Sequence, residues 1–501
     1  MTAAFANRPL RIAIDGAEID AKLARCAASA FVRQVLDAPS LAEIAFAEPP
    51  SDMVQSLRYG AQLALRVDSD TTLFTGEITT IERHYDGSAG RIVRLRAYDK
   101  LHRLRKQQHA RALPGVTAGD LVQQAARELG LECAIGEAGP AQTLAMQYER
   151  SDLDFLAELA ARSGLHLYLD GRTLRLITLA GTGEPIRLKL GRELAILRAV
   201  AGAETLRRTS HTKAWNVLRT TALAADASPA RQDAEEMRSL DLSAFADLGE
   251  RTLFNRLAAN ADEAQGLAQA DIDRAAAGEV VIEGAADGNP DLHPGAVVAI
   301  IGANDAIDGR FVLTETLHRF SEAEGYITEF STAAPRRRAA PRTPVFTFGA
   351  VSSVDDPDRL SRVRARLPLM GDLETDWMPV VLSGAGPDKG VAVMPEPDDK
   401  VLILFPDGNP AYGIVLGGLF GESKAPGVSS GSPRSFVLRT GNGQTITLDS
   451  VNQLTRLETS GGDTFELGPQ GSRLHASQDL IIEAPGRTVT IRARAVEFEE
   501  G

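Results

Sequence analysis

The chain has 501 residues, more than one hydrophobic core organises, so several domains are expected. Its 44% hydrophobic and 24% charged residues, with 45 glycines, describe a folded, turn-rich protein rather than a disordered one. The 67 Asp and Glu against 54 Lys and Arg leave a net charge of -13, which repels a polyphosphate backbone and argues against nucleic acid as a partner.

Asn7, Arg8, Pro9 and Arg11 interrupt the apolar run a secretory leader needs. No later run approaches the roughly 20 apolar residues of a membrane-spanning helix. Synthesis in the cytoplasm without a signal peptide is therefore expected. Cys26 and Cys133 match neither a disulfide framework nor a zinc knuckle and are read as buried thiols.

Residues 10–14, 61–67, 72–82 and 91–98 alternate apolar and polar side chains, the pattern of half-buried strands. A capping box, Thr117 to Asp120, then opens a helix with Leu121, Ala125 and Leu129 on one face and Gly130 as its stop. Ser151 to Asp154 repeats the device ahead of Phe155 and Leu159, with Gly164 as terminator. Residues 165–169 and 173–179 read as a hairpin around Asp170 and Gly171. Strands follow at 186–190, 280–283, 296–301, 310–320 and 326–330, with an alanine-rich helix at 258–277 between them.

Pro335 to Pro344, with Arg336, Arg337, Arg338 and Arg342, has no apolar period and reads as a linker. After it, Val351 and the runs 363–367, 378–382, 400–405 and 413–416 supply the five strands of a small OB-type barrel. A second Gly, Ser and Pro linker at 427–433 precedes short alternating strands at 436–440, 444–448, 454–459, 464–467, 472–476, 480–484, 488–493 and 495–499.

This last ladder has one apolar stripe per strand and no second layer of its own. Three chains wound about one axis would bury Phe436, Leu438, Ile446, Leu448, Phe465, Leu467, Ile482, Val489 and Ile491, each worth roughly 1.5 to 3 kcal/mol. Periodicity leaves a monomeric β-solenoid or an edge-paired sheet equally open.

Catalytic chemistry is hard to find. The histidines at 84, 102, 109, 166, 211, 293, 318 and 475 include no pair at metal-ligating helical spacing. There is no phosphate-binding glycine loop. The one Gly-x-Ser-x-Gly string, Gly427 to Gly431, sits in a linker rather than between a strand and a helix. Asp152 and Asp154 stand at a helix start, where capping explains them better than acid/base work. Arg362, Arg364 and Arg366 share a strand face that could suit nucleic acid, but aromatics form only 5% of the chain.

Several ordered patterns are similar to those of the VgrG family, the spike proteins of type VI secretion systems, and of the spikes of phage-tail-like particles and phage hubs. In the hub region these are Gln147 to Leu156, Arg162 to Tyr168, Gly288 to Gly295, and Gly309 to Val312 with His318, Tyr326 and Phe330. In the barrel they are Gly349, Val351, Asp356-Pro357, Arg362 to Pro368, Trp377, Gly390, Met394 to Val401, Phe405, Gly408 to Pro410 and Val415 to Gly417.

The resemblance implies a mostly β multidomain chain. A first hub, tube-like barrel domain spans 1–110, and a helical insertion with a second hub domain 111–334. A linker at 335–344, an OB-fold domain at 345–421, a linker at 422–435 and an intertwined trimeric β-helix at 436–501 follow. It implies a homotrimer, an Hcp-like hexameric tube protein, a PAAR-type tip protein, baseplate proteins and cargo effectors as partners. It implies no cofactor, no metal, no catalytic residue and no nucleic acid. The spike would assemble at the tube tip and be delivered outside the cell or into a target. Without an effector extension after Gly501, tip and cargo are expected to be separate chains. A cell-wall-lytic phage spike and an OB-fold nucleic-acid binder are the alternatives, although residues 421–433 leave no room for an inserted lysozyme domain.

Overall fold

The computed structural model describes residues 10–68, 71–87, 90–203, 207–234, 249–304, 307–335, 343–421, 425–426 and 435–498. Most of both expected linkers, and the whole Gly427 to Gly431 string, lie outside them. The chain divides into two compact units between Gly418 and Leu419.

The first unit is organised by an eleven-stranded sheet. From one edge it runs Leu194–Ala201, Val280–Asp287, Gly325–Ser331, Glu315–Ser321, Ala27–Val35, Leu41–Ala47, Gly90–Tyr98, Thr71–Asp86, Gln62–Val67, Leu10–Ile14 and Ala17–Glu18. Alternation puts Ile44, Phe46, Leu63, Leu65 and Leu95 on the inner face, where all are fully buried. The seam pairs Glu315–Ser321 antiparallel with Ala27–Val35, His318 opposite Val32. Residue 110, the expected end of the first hub domain, thus divides the chain but not the sheet.

One expected strand is corrected. Residues 310–320 split into Gly309–Val312, which joins Thr182–Lys189 and Ala296–Ile301 in a separate sheet, and Glu315–Ser321 in the large one. The break is fixed by buried Leu313 and by the Thr314 N–H, which donates to the Ser331 carbonyl. Period-two alternation says which face a residue takes, not which sheet. Ala27–Val35 and Leu41–Ala47 are further strands, whose many alanines blur the alternation. The thiols are half-buried rather than buried, because each sits at the margin of its core.

Locally specified helices form as the caps dictate. Ala118–Leu129 carries the full capping box: the Asp120 N–H donates to Thr117 Oγ1 at 3.0 Å and the Thr117 N–H to Asp120 Oδ2 at 2.9 Å. Gly130 follows in the left-handed region at φ 62°. Asp152–Ala161 is capped by Ser151, which accepts from the Asp154 N–H at 3.1 Å. In the next hairpin Asp170 pairs with Thr173, so Gly171 and Arg172 form the turn, one residue later than expected. Gly288 has to be glycine because a Cβ there would run into the Tyr326 ring.

Buried Glu77 ties the long strand Thr71–Asp86 to the helix His102–Lys106. Arg103 Nη2 and Nε donate to its two oxygens at 2.5 and 3.1 Å, and His102 Nε2 lies at 2.9 Å. Burial alone would raise its pKa, but the Arg103 and His102 hydrogen bonds outweigh that and hold it at about 2. The stabilisation is therefore present above the ordinary value of 4.5 and is lost as pH falls through about 2. Glu77→Gln should cost ~2 to 3 kcal/mol at pH 7, and the gap from wild type should close on acidification. Denaturant midpoints at stepped pH measure this; a gap independent of pH would contradict the ion-pair account.

The barrel lies at the end of the first unit. Its strands run Leu373–Glu374, Arg362–Leu367, Val345–Ser353, Lys400–Phe405 and Ile414–Leu419, with Met378–Pro379 also on Arg362–Leu367. Val351, Val363, Leu367, Val401, Ile403, Phe405 and Val415 fill it.

Candidate functional site

Two features bear on function: the joint between hub and barrel, and the exposed sheet of the second unit. At the joint the barrel's core does not stop at the barrel. Met146, Leu144 and Ala112, from the antiparallel pair of hub strands Arg111–Val116 and Gln142–Gln147, and Tyr148 just after it pack against it. The Tyr148 hydroxyl donates to the Gly408 carbonyl at 3.2 Å.

Beside them the Tyr412 hydroxyl donates to Glu263 Oε2 at 2.5 Å, with Arg162 Nη2 at 3.4 Å from that hydroxyl. Burial pushes the Tyr412 hydroxyl well above its ordinary pKa, so it stays a donor. Glu263 reaches back from the helix Ala261–Ala277 to accept also from the Ala259 N–H at 3.0 Å. The Thr143 N–H donates to Glu263 Oε1 at 3.4 Å, so three chain segments, at 143, 259–263 and 412, converge on one carboxylate.

Asp356 and Arg362 lock the loop ahead of the second barrel strand, through Nη2 to Oδ1 at 2.6 Å and Nε to Oδ2 at 2.9 Å. This paired fork holds the Asp356 carboxyl far below the usual range. Arg362, Arg364 and Arg366 do share the strand's outer face, but Arg362 is buried under Asp356 and only Arg366 is exposed.

In the second unit, Ser435–Arg439, Thr445–Asp449, Leu454–Glu458, Thr464–Gly468 and Gly471–His475 form an antiparallel meander in chain order. Phe436 lies opposite Leu448, Leu438 opposite Ile446, Ile446 opposite Leu457, Leu457 opposite Phe465, and Phe465 opposite Leu474. Six of the nine expected needle residues, Phe436, Leu438, Ile446, Leu448, Phe465 and Leu467, therefore share one face, together with Leu457 and Leu474. All eight are exposed, Phe436 to 77%. The other face is ionic: Arg456 lies 3.1 Å from Glu466 and 3.2 Å from Glu458.

Ile482, Val489 and Ile491 are not brought into this face. The strands expected at 480–484 and 488–493 do not form; described residues 476–498 contain no strand, and all three side chains are exposed. A strand exists only against a hydrogen-bonded neighbour, and among the described residues these segments pair with none. The single chain is accordingly a meander rather than a coiled β-helix.

A signal for Leu457 was present in the sequence. Thr440-Gly-Asn-Gly443-Gln-Thr-Ile446-Thr-Leu448 recurs 19 residues later as Thr459-Ser-Gly-Gly462-Asp-Thr-Phe465-Glu-Leu467. Both copies close the same turn. Gly443 N–H donates to the Thr440 carbonyl at 2.9 Å, and Gly462 N–H to that of Thr459 at 3.1 Å, each glycine at positive φ. Leu438 shifted by that period lands on Leu457.

Histidines with acidic partners are dispersed: His109 with Asp152 at 2.8 Å, His166 with Asp37 at 2.8 Å and His211 with Asp226 at 2.6 Å. Asp152 also accepts from Gln147 Nε2 at 2.7 Å, so its carboxylate braces the hub helix against the strand Gln142–Gln147, and the expected capping is done by Ser151. Among the described residues no three His, Cys, Asp or Glu converge as a metal set.

The comparisons with known proteins agree with this architecture. The phage tail baseplate hub (GPD) family model matches residues 39–324, and the type VI secretion system/phage-baseplate injector OB domain model matches 347–420. The E. coli c3393 protein, a type VI secretion component structurally similar to T4 tail proteins gp27 and gp5, is 15% identical, with TM-score 0.52, covering 81% of this chain and 99% of its own. A Francisella PdpA-VgrG complex gives TM-score 0.55 at 10% identity over 95% of this chain and 81% of that one. The prophage MuSo2 43 kDa tail protein from Shewanella oneidensis gives 0.50 at 14% identity over 65% and 97%. Comparison with curated proteins gives no match. With more than half its length matched by the hub model and an injector barrel following, the chain belongs to the phage tail baseplate hub family, as a structural hub and spike component of a contractile injection system.

Proposed function

We propose that three copies of this chain form the central spike of such a system, and that its work is mechanical rather than catalytic. The observation that carries this reading is the uncovered apolar face of the second unit. Eight large side chains on one face of a single-layer sheet, with an ionic face behind, cannot stay in water without a partner. Three copies closing around an axis bury Phe436, Leu438, Ile446, Leu448, Leu457, Phe465, Leu467 and Leu474, and give Ile482, Val489 and Ile491 neighbouring strands to pair with. The needle at 436–501 is then intertwined, and it follows in the chain an OB domain at 345–421 and hub domains at 1–110 and 111–334. Paired hub domains in three copies present six similar surfaces to a hexameric Hcp-like tube. The far end seats a PAAR-type tip, baseplate proteins surround the hub, and cargo travels with the assembly outward. No cofactor or catalytic group enters the mechanism. Light scattering on the purified chain should give about three times 53.5 kDa at micromolar concentration. A stable single chain would sink the reading.

A further inference from the structure

The barrel itself carries two apolar surfaces that no described residue of its own chain covers. On the outer face of Val345–Ser353, Phe346 and Phe348 are 61% and 55% exposed, and half-buried Leu404 continues the patch on the neighbouring strand. The second surface is the segment 381–399. It is anchored at its ends, the Val381 N–H donating to the Val415 carbonyl at 2.8 Å and the Asp398 N–H to that of Val351 at 2.8 Å. Between these anchors its hydrogen bonds are mainly to itself, Gly386 with Lys389 and the Val391 N–H with the Ser383 carbonyl, while Met394 packs against the barrel core. Val381, Val391 and Val393 are all more than half exposed along it. A surface segment this long, without helix or strand yet carrying valines, is uncommon unless it covers something.

We infer that this segment is an arm that lies on the Phe346 and Phe348 face of the next copy, so that three barrels close head to tail. The inference rests on the three-copy reading above. A threefold ring needs two different, mutually complementary patches on each subunit, whereas a twofold pair needs one self-complementary patch. The barrel has two. Their charges also match: exposed Arg366 stands beside the phenylalanine strand, and the arm carries exposed Asp388, Glu396 and Asp398 against Lys389 alone. The barrel contacts would hold the ring shut independently of the needle, adding a second collar to the spike.

Cysteine cross-linking on the full chain tests this. Phe348→Cys combined with Val391→Cys, treated with a short bismaleimide, should yield a covalent species of about three times 53.5 kDa. Either substitution alone should stay at the wild-type level set by Cys26 and Cys133. Phe346→Cys with Val393→Cys is the second pair, should the first perturb folding. Cross-linked dimers from Phe348→Cys alone would overturn the head-to-tail arrangement in favour of a twofold contact. Absence of linkage in both pairs, while light scattering still reports three chains, would overturn the arm and leave the needle trimer standing. A single-chain mass would overturn both.

Discussion

Leu457→Asp with Phe465→Asp should reduce the assembly from about three chains of 53.5 kDa to one. The two residues are cross-strand neighbours at the middle of the apolar face. Each loses roughly 1.5 to 3 kcal/mol of burial per chain, and three copies bring six carboxylates together at one axis. Thr447→Asp, on the opposite ionic face, is the control and should leave the mass unchanged. In a monomeric sheet both Leu457 and Phe465 are solvent-exposed already, so the same substitutions would cost little. Size and secondary structure measured together separate the cases: loss of mass with retained β signal supports the needle, and an unchanged mass contradicts it.

The second large effect concerns the joint between hub and barrel. Glu263→Ala removes the acceptor of the buried Tyr412 hydroxyl and of the Ala259 N–H, and takes from Arg162 one of its neighbouring carboxylates, leaving Asp407 and Glu158. At about 1 to 3 kcal/mol for each orphaned buried donor, the total loss is about 3 to 5 kcal/mol. Tyr412→Phe removes one hydroxyl but keeps the carboxylate beside Arg162, so about 1 kcal/mol is expected. The two tryptophans fall on either side of the joint, Trp215 in the hub and Trp377 in the barrel. In single-tryptophan variants both should report one urea transition with Glu263 present and two separate transitions with Glu263→Ala. Coincident transitions in the variant would show that the apolar contacts of Met146 and Leu144 suffice to couple the parts.

The sequence was readable where the physics is local. Thr117 with Asp120, and Ser151 with Asp154, cap their helices because both partners lie within one turn. The barrel strands at 363–367 and 400–405 were legible to within one residue of Arg362–Leu367 and Lys400–Phe405, whereas 413–416 stops three residues short of the end of Ile414–Leu419, 378–382 keeps strand pairing only over Met378–Pro379, and Leu373–Glu374 was not foreseen. The joint was not legible: Glu263 and Tyr412 are 149 residues apart, and no periodicity links an N-terminal helical glutamate to a tyrosine in a barrel turn. The seam of the large sheet was hidden for the same reason, since Ala27–Val35 and Glu315–Ser321 meet only in the fold. In the second unit, alternation placed the apolar face but overran its length. The pattern of Ile482, Val489 and Ile491 states which side is apolar without saying whose strand will pair with it.

On the proposed reading, three chains close the apolar face of the second unit around a common axis. Electron cryomicroscopy of the purified full-length chain tests it directly. The account predicts threefold particles whose C-terminal density has Phe436, Leu457 and Phe465 pointing at the axis. Single chains, or an assembly in which that face looks outward into solvent, would contradict it.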